Sequence, residues 1–287
     1  MLILHCSDVH ITEDYSSVPF LRLGWRRWIA MLELKLGGRG KEYLQARDVL
    51  AQIIRDAPAH GASHVVVSGD ITAYAMESEF RGAREALEPV AADKARCTVI
   101  PGNHDCYTPQ VIAERLFEKY FGHLLLSDWP EYATDGGFPF VRLLGAEVAV
   151  IGLRSAQVPP LPGLSYGVIG RKQLDALGKI VADRRLDGRA VLVVVHHAPL
   201  TFSGRKDKWS HRLMDAEALF KVIPGPRFAI LHGHIHRRYY HPATQHRPHI
   251  FCAGSSTQKG REGYWLVQAS GGKVIGGVQH RPGGLSA

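Results

Sequence analysis

"FAILHGHIHRRYYH", residues 228–241, runs from an apolar segment straight into histidines. Of the eleven residues from 231 to 241, four are histidine. An apolar run that stops abruptly at a polar cluster reads as a buried strand reaching the rim of a sheet. Neutral imidazole is the commonest protein ligand for transition metals, so that rim is a candidate metal site. The competing reading is a polar loop in a chain that holds 16 histidines among 287 residues. The other strands decide between the two.

Similar short apolar runs occur at residues 2–6, 64–68, 97–100, 148–153 and 190–195, each closed by Gly, Pro, Asp or His. Between several of them the apolar residues follow the three-and-four spacing of a helix with one buried face. The sets are Ala46, Val49, Leu50, Ile53, Ile54 and Ala57; Phe80, Ala83, Leu87 and Val90; Leu174, Leu177 and Val181; and Leu213, Ala216, Phe220 and Ile223. Strands alternating with amphipathic helices imply an α/β fold whose ligands collect at the carboxyl ends of the strands. Beyond Arg237 the helical pattern stops, and 249–257, 263–270 and 272–279 read as strands that complete a second sheet. With no internal repeat and no low-complexity linker, one domain spanning 1–287 is expected, carrying an insertion at about 15–41.

Composition narrows the function classes. The net charge of +8 favours anionic partners, while 45% hydrophobic content describes a chain with a sizeable core. The four cysteines form no CxxC pair, which argues against a zinc ribbon or a disulfide framework and suits a reducing cytoplasm. The opening "MLILHCSD" lacks the basic start and long apolar run of a signal peptide, and no apolar stretch reaches membrane-spanning length.

The segments that follow the strands are "SDVH" (7–10), "SGD" (68–70), "PGNHD" (101–105), "HHAP" (196–199) and "HGHIH" (232–236). Each one alone arises often by chance. Five strand ends that all carry carboxylate, amide or imidazole donors point to one shared dinuclear metal site. Together Asp8 and His10, Gly69-Asp70, Gly102-Asn103-His104-Asp105, His196 and Gly233-His234-Ile235-His236 resemble the motif set of the calcineurin-like metallophosphoesterases over roughly residues 1–260. The resemblance implies a four-layer α-β-β-α sandwich with two mixed sheets. It makes Asp8, His10, Asp70 and His236 ligands of one metal and Asp70, Asn103, His196 and His234 ligands of the other, with Asp70 bridging. Two divalent ions then activate a water for in-line attack on phosphorus. His104 serves as the acid at the leaving oxygen, and Asp105 orients its loop. His197 either packs or touches substrate, His232 supports the site, and His241, His246 and His249 are expected in solvated loops. Donors without thiolate suit Mn²⁺, Fe²⁺ or Zn²⁺, and Mn²⁺ is favoured because related phosphoesterases are often active with it.

The phosphoester itself is less constrained. "GDITAYAMESEF" (69–80) lacks the GDxxDRG stretch of the Ser/Thr protein phosphatases. The set is more similar to the class III cyclic-nucleotide phosphodiesterases and to the GNHD-type UDP-2,3-diacylglucosamine diphosphatases of lipid A synthesis. Residues 20–41 hold six basic side chains and one acidic, and as a helix would set Phe20, Trp28, Met31 and Leu32 on an apolar surface with Arg22, Arg26 and Glu33 at one margin. This insertion resembles the lipid A enzymes better, which implies a lipid-linked pyrophosphate substrate, a peripheral place at the inner face of the cytoplasmic membrane, and Trp25 and Trp28 as substrate contacts. An ordinary helix packed on the core or on a subunit partner is the alternative, and a cyclic or other small phosphodiester is then the substrate. Arg154, Arg237 and the basic loop "GRKDKW" (204–209) are further candidates for meeting an anionic substrate. A nuclease is more remote because no appended nucleic-acid-binding module is visible, and a scaffold without activity would lack ligands or His104, none of which is missing.

Overall fold

The computed structural model describes residues 1–13, 15, 24–27, 39–161 and 163–284. Two sheets stand face to face. The first has the order β11-β10-β1-β2-β3, formed by β1 (Leu2–Cys6), β2 (His64–Val67), β3 (Cys97–Val99), β10 (Tyr264–Ser270) and β11 (Lys273–His280). The second has the order β4-β5-β6-β7-β9-β8, formed by β4 (Phe140–Leu144), β5 (Val148–Gly152), β6 (Ala190–Val194), β7 (Phe228–His232), β8 (Tyr239–His241) and β9 (His249–Cys252). Both are mixed, because β1-β2-β3 and β5-β6-β7-β9 run parallel while β10, β11, β4 and β8 pair antiparallel.

The continuous apolar runs of the central strands have a physical cause. Successive side chains of a strand point to opposite faces, and both faces of the second sheet are covered. Ala190, Leu192 and Val194 join the core shared with the first sheet, whereas Val191, Val193 and Val195 join a separate core. That second core is closed by Leu177 and Ile180 of α6 (Arg171–Ala182) and by Leu219 and Phe220 of α7 (Ala216–Val222). The larger core takes Leu50, Ile53 and Ile54 from α1 (Ala46–Ala59) and Phe80 and Ala83 from α2 (Glu77–Ala86). The result is the four-layer sandwich expected from the strand-end motifs.

Several elements differ from the sequence reading. β10 and β11 do not extend the second sheet. They join the first, where β10 pairs with β1, with Leu2 opposite Gln268 and His5 opposite Trp265, and β11 pairs with β10, so only β9 of the three C-terminal strands completes the second sheet. The helix expected through Val90 breaks after Ala86 and resumes as α3 (Glu88–Ala91), where Pro89 occupies the first turn. β4, β8, α4 (Pro109–Ala113) and α5 (Leu116–Phe121) had no clear periodic signal. His249 is not in a solvated loop: it lies buried in β9, where Nδ1 accepts from the Tyr240 hydroxyl at 2.8 Å. Most of the insertion at 15–41, including Trp28, lies outside the described residues. Among the described residues no helix is long and apolar enough to cross a membrane.

One buried cation ties the two sheets together. Arg142 on β4 is 1% exposed and donates to Cys97 O at 3.0 Å, Thr98 Oγ1 at 3.1 Å and Leu124 O at 2.7 Å. Removing the guanidinium strands these acceptors in a dry interior. Arg142→Ala is therefore expected to cost about 3 kcal/mol or more, seen as a fall in Tm of roughly 10 °C in thermal unfolding.

Candidate metal centre

The carboxyl ends of β1, β2, β6 and β7 and the turn after β3 meet at one rim, and backbone hydrogen bonds lock their loops together. Asp8 N donates to Gly69 O at 3.1 Å, His10 N to Asp70 O at 3.0 Å, and Gly233 N to His196 O at 3.1 Å. Four of the expected ligands adopt left-handed backbone: Asp8 (φ 50°), His10 (φ 49°), Asp70 (φ 50°) and His234 (φ 71°). Such conformations cost about 1–3 kcal/mol each and persist only where the surroundings over-determine them. The motif glycines serve the same convergence. A Cβ at Gly102 would collide with the Asp70 carboxylate, and one at Gly233 with Ser7 Oγ and Asp8 Oδ2.

Among the described residues, three donor groups are close enough to hold a metal: Asp8, His10 and His236; His10, Asp70 and His104; and Asp70, His196 and His234. His236 Nε2 stands 3.4 Å from Asp8 Oδ1 and 3.1 Å from His10 Nε2. On the other side His196 Nε2 is 3.3 Å from Asp70 Oδ2 and 3.1 Å from Asn103 Oδ1. Ring nitrogens of three of these histidines are anchored by backbone carbonyls. His196 Nδ1 donates to Ser68 O at 2.8 Å, His234 Nε2 to His211 O at 2.8 Å and His104 Nδ1 to Ala73 O at 2.7 Å. Because a carbonyl only accepts, these contacts fix the tautomers, and hydrogen bonds of this kind orient metal-binding imidazoles.

The electrostatics fit a cation. Burial, reinforced by His197 and His211, holds His234 well below the ordinary imidazole range, so the ring is neutral. Its proton is committed at Nε2, yet Nδ1 faces Asn103 Oδ1, itself an acceptor, at 2.9 Å. Two lone pairs pointed at one another at this distance repel unless a cation lies on both. Burial and the nearby His104 and His236 rings likewise depress His10 to about 3. Burial opposes charge on His196, but Asp70 overrides it and raises the ring to about 9, so an arriving metal displaces a proton there. Burial also works against ionisation of Asp8 and Asp70, and the adjacent histidines nevertheless hold both below the usual carboxylate range.

The family model of the calcineurin-like phosphoesterases matches residues 1–238. The chain belongs to this family. Members work with two divalent metals, and this calcineurin-like phosphoesterase is a metal-dependent enzyme. Among solved structures it is similar to a dimetal phosphatase from Danio rerio, at 13% identity with 98% of each chain covered and a TM-score of 0.58. It is also similar to a purple acid phosphatase from yellow lupin seeds, at 12% identity and a TM-score of 0.56. The sulfate thiohydrolase SoxB from Thermus thermophilus gives 18% identity and a TM-score of 0.52. The alignments cover 97% and 98% of this chain, which spans about half the length of each of those two proteins, 53% and 56%. At such identities the likeness speaks for the fold alone. No curated protein matches the sequence.

Around the donors, this phosphoesterase places the other candidate residues at different depths. Asp105 is buried and accepts from Ile71 N, Thr72 N, Thr72 Oγ1 and Gly102 N, which ties the GNHD turn to the Asp70 loop. His197 stands behind the ligands, fully buried, with Nδ1 2.8 Å from Ser155 Oγ. His232 is equally buried and bonded to Tyr239. Arg154 is half-buried beside Cys106, Arg237 is exposed next to His236 with its guanidinium over Phe202, and Trp25 is exposed. Sequence reasoning missed His211, whose ring stacks on His234 at 3.9 Å, and Tyr43, whose hydroxyl is 3.3 Å from His236 Nδ1. His211 follows the "GRKDKW" loop and pairs with Asp207 inside it at 2.7 Å, so that loop was the available signal; Tyr43 had none.

The loop that anchors His104 also rests on a buried carboxyl, Glu79. Burial raises Glu79 to about 7, although Tyr15 Oη, Met76 N and Tyr74 N all donate to it. Above its ordinary value of 4.5 the folded chain thus keeps a proton that the unfolded chain gives up. The associated stability is fully present below pH 4.5 and is lost as the pH rises through 7. Thermal unfolding between pH 5 and 8 is expected to show this slope, on the order of 3 kcal/mol at most, and Glu79→Gln to flatten it.

Proposed function

We propose that this chain hydrolyses the pyrophosphate bond of a lipid-linked nucleoside diphosphate sugar of the UDP-2,3-diacylglucosamine kind, at the cytoplasmic face of a membrane. The observation that carries this reading is the seat of residues 24–27. Arg27 donates to Tyr74 O at 2.9 Å and Ala75 O at 2.8 Å, on the loop whose Ala73 carbonyl anchors His104. Arg26 donates to Pro159 O at 2.7 Å and Pro160 O at 3.2 Å, on the segment beyond β5. The two arginines thus span from one sheet's loops to the other's and hold Trp25, 61% exposed, at that margin. An exposed indole on a basic segment beside a phosphoester site suits an anionic head with an apolar tail.

In this reading Asp8, His10, Asp70 and His236 hold one metal and Asp70, Asn103, His196 and His234 the other, with Mn²⁺ favoured over Fe²⁺ or Zn²⁺. When bound, the two ions supply Lewis acidity that makes water a nucleophile at neutral pH and offsets phosphate charge. His104, held through Nδ1, presents Nε2 to the leaving oxygen and delivers its proton there. Asp105 keeps that loop in register with Asp70, while Arg154 and Arg237 flank the anionic substrate.

The test is Mn²⁺-dependent hydrolysis of a UDP-linked diacyl sugar and of cyclic AMP side by side, with an aryl phosphodiester as the activity control. A preference for the lipid by orders of magnitude is expected. Preference for the cyclic nucleotide overturns the lipid reading and leaves residues 24–27 as a structural brace.

A further inference from the structure

A cleft of about 420 Å³ opens directly beside the metal donors, lined by His236, Arg237, Arg238, Gly254, Ser255 and Arg261. One wall belongs to the donor network. His236 Nε2 faces Asp8, and Ser255 Oγ donates to Asp8 O at 2.8 Å. The other wall is arginine. A second cleft of about 250 Å³ continues from Arg238 and Arg261 past Glu262 to Arg281.

The guanidiniums of Arg237, Arg238 and Arg261 are held by uncharged groups. Arg261 Nη1 donates to His236 O and Arg238 Nη2 to Arg261 O, both at 3.3 Å. Arg238 lies flat against the backbone at Gly263, where a Cβ would come within 2.8 Å of Nη1. Arg237 rests on the Phe202 ring at 3.8 Å. Carbonyls and a ring orient these heads without neutralising them, and among the described residues no carboxylate pairs with any of the three. Cations that outnumber the nearby carboxylates and pair with none of them in a concave site favour a multiply charged anion, and planar guanidiniums match phosphate oxygens two at a time. A volume above 300 Å³ is in the range of ligand sites and accommodates a phosphate with part of the group attached to it.

We propose that this cleft is a subsite for a second phosphate carried by the substrate: while one phosphoryl group reacts at the Asp8/Asp70 rim, Arg237 and Arg261 grip its neighbour and Arg238 buttresses the wall. The inference rests on the reading of that rim as the phosphoesterase centre, and it selects pyrophosphate-type or doubly phosphorylated substrates over simple diesters.

The experiment compares binding of methylenediphosphonate and methylphosphonate, both resistant to hydrolysis, to the Mn²⁺-loaded protein by calorimetry. The ratio of the two dissociation constants is the readout. In the double variant Arg237→Gln/Arg261→Gln the advantage of the diphosphonate is expected to shrink at least tenfold. An unchanged ratio overturns the subsite. Should the double variant fail to fold, each single substitution is read in the same way, with at least a threefold loss expected from each. Hydrolysis of bis(p-nitrophenyl) phosphate by the unsubstituted protein separates the two failures. Activity there with an unchanged ratio removes only the subsite, whereas no activity removes the phosphoesterase centre on which it rests.

Discussion

Replacing Asp70 by Asn should lower kcat/KM for any phosphoester by at least about a thousandfold and reduce the metal content of the purified protein. The carboxylate has duties on both oxygens. Oδ1 accepts from His104 N at 2.8 Å, while Oδ2 faces His196 at 3.3 Å and His10 at 4.0 Å. An amide has only one oxygen to offer. Either the His104 amide or the two imidazoles must then confront an NH2 group, and the charge that would sit between two cations is gone. The substitution is also clean for the backbone, because asparagine tolerates the left-handed conformation at this position, φ 50°. Metal analysis together with kinetics decides the matter: full activity with full metal content would sink the role of a shared carboxylate.

His104→Ala should act differently. Turnover is expected to fall by about 10² to 10⁴, the usual worth of a positioned acid, while metal content stays near that of the unsubstituted protein. The loss should be greatest for substrates with poor leaving groups and least for nitrophenyl esters, which depart without a proton. This contrast is informative because His104 also belongs to one of the three donor groups, with His10 and Asp70. As a ligand, His104 would take a metal with it when removed, and the leaving-group dependence would be flat. Its Nδ1 is committed to Ala73 O in either case, so only Nε2 is in question.

The rim of the fold was legible in sequence because two independent constraints coincide there. Buried parallel strands demand unbroken apolar runs such as 190–195, and the donors that follow them are chemically narrow: Asp8, His10, Asp70, Asn103, His196, His234 and His236. Strand partnership was not legible. Nothing in "GYWLVQAS" states that β10 pairs with β1 rather than with β9, since that choice depends on which edge remains open after the parallel strands have assembled. β4 was hidden because its centre is Arg142, a charge that sequence reading places at a surface and that the fold satisfies with the carbonyls of Cys97 on β3 and of Leu124. The arginine cleft was hidden for a similar reason. Arg237 is adjacent to the candidate ligand His236, but Arg261 lies 25 residues beyond His236 and reaches the same cavity only through the return of β9 and the turn before β10.

The neighbours of β1 bear on how the chain can be made. β1 lies between β2 and β10, and its β10 partner, residues 264–270, is made long after it. The candidate ligands are spread in the same way, from Asp8 to His236. During synthesis, β1 therefore waits with one edge unpaired until β10 has been made, and for much of that interval the donor set is half-built. Long-range closure of this kind is slow and leaves a sheet edge exposed to other chains. The first sheet stays incomplete until β10 has folded back onto β1, so a chain cut between Arg261 and Tyr264 keeps the donors and the wall that Gly254, Ser255 and Arg261 build beside them but leaves β1 without the cover of β10.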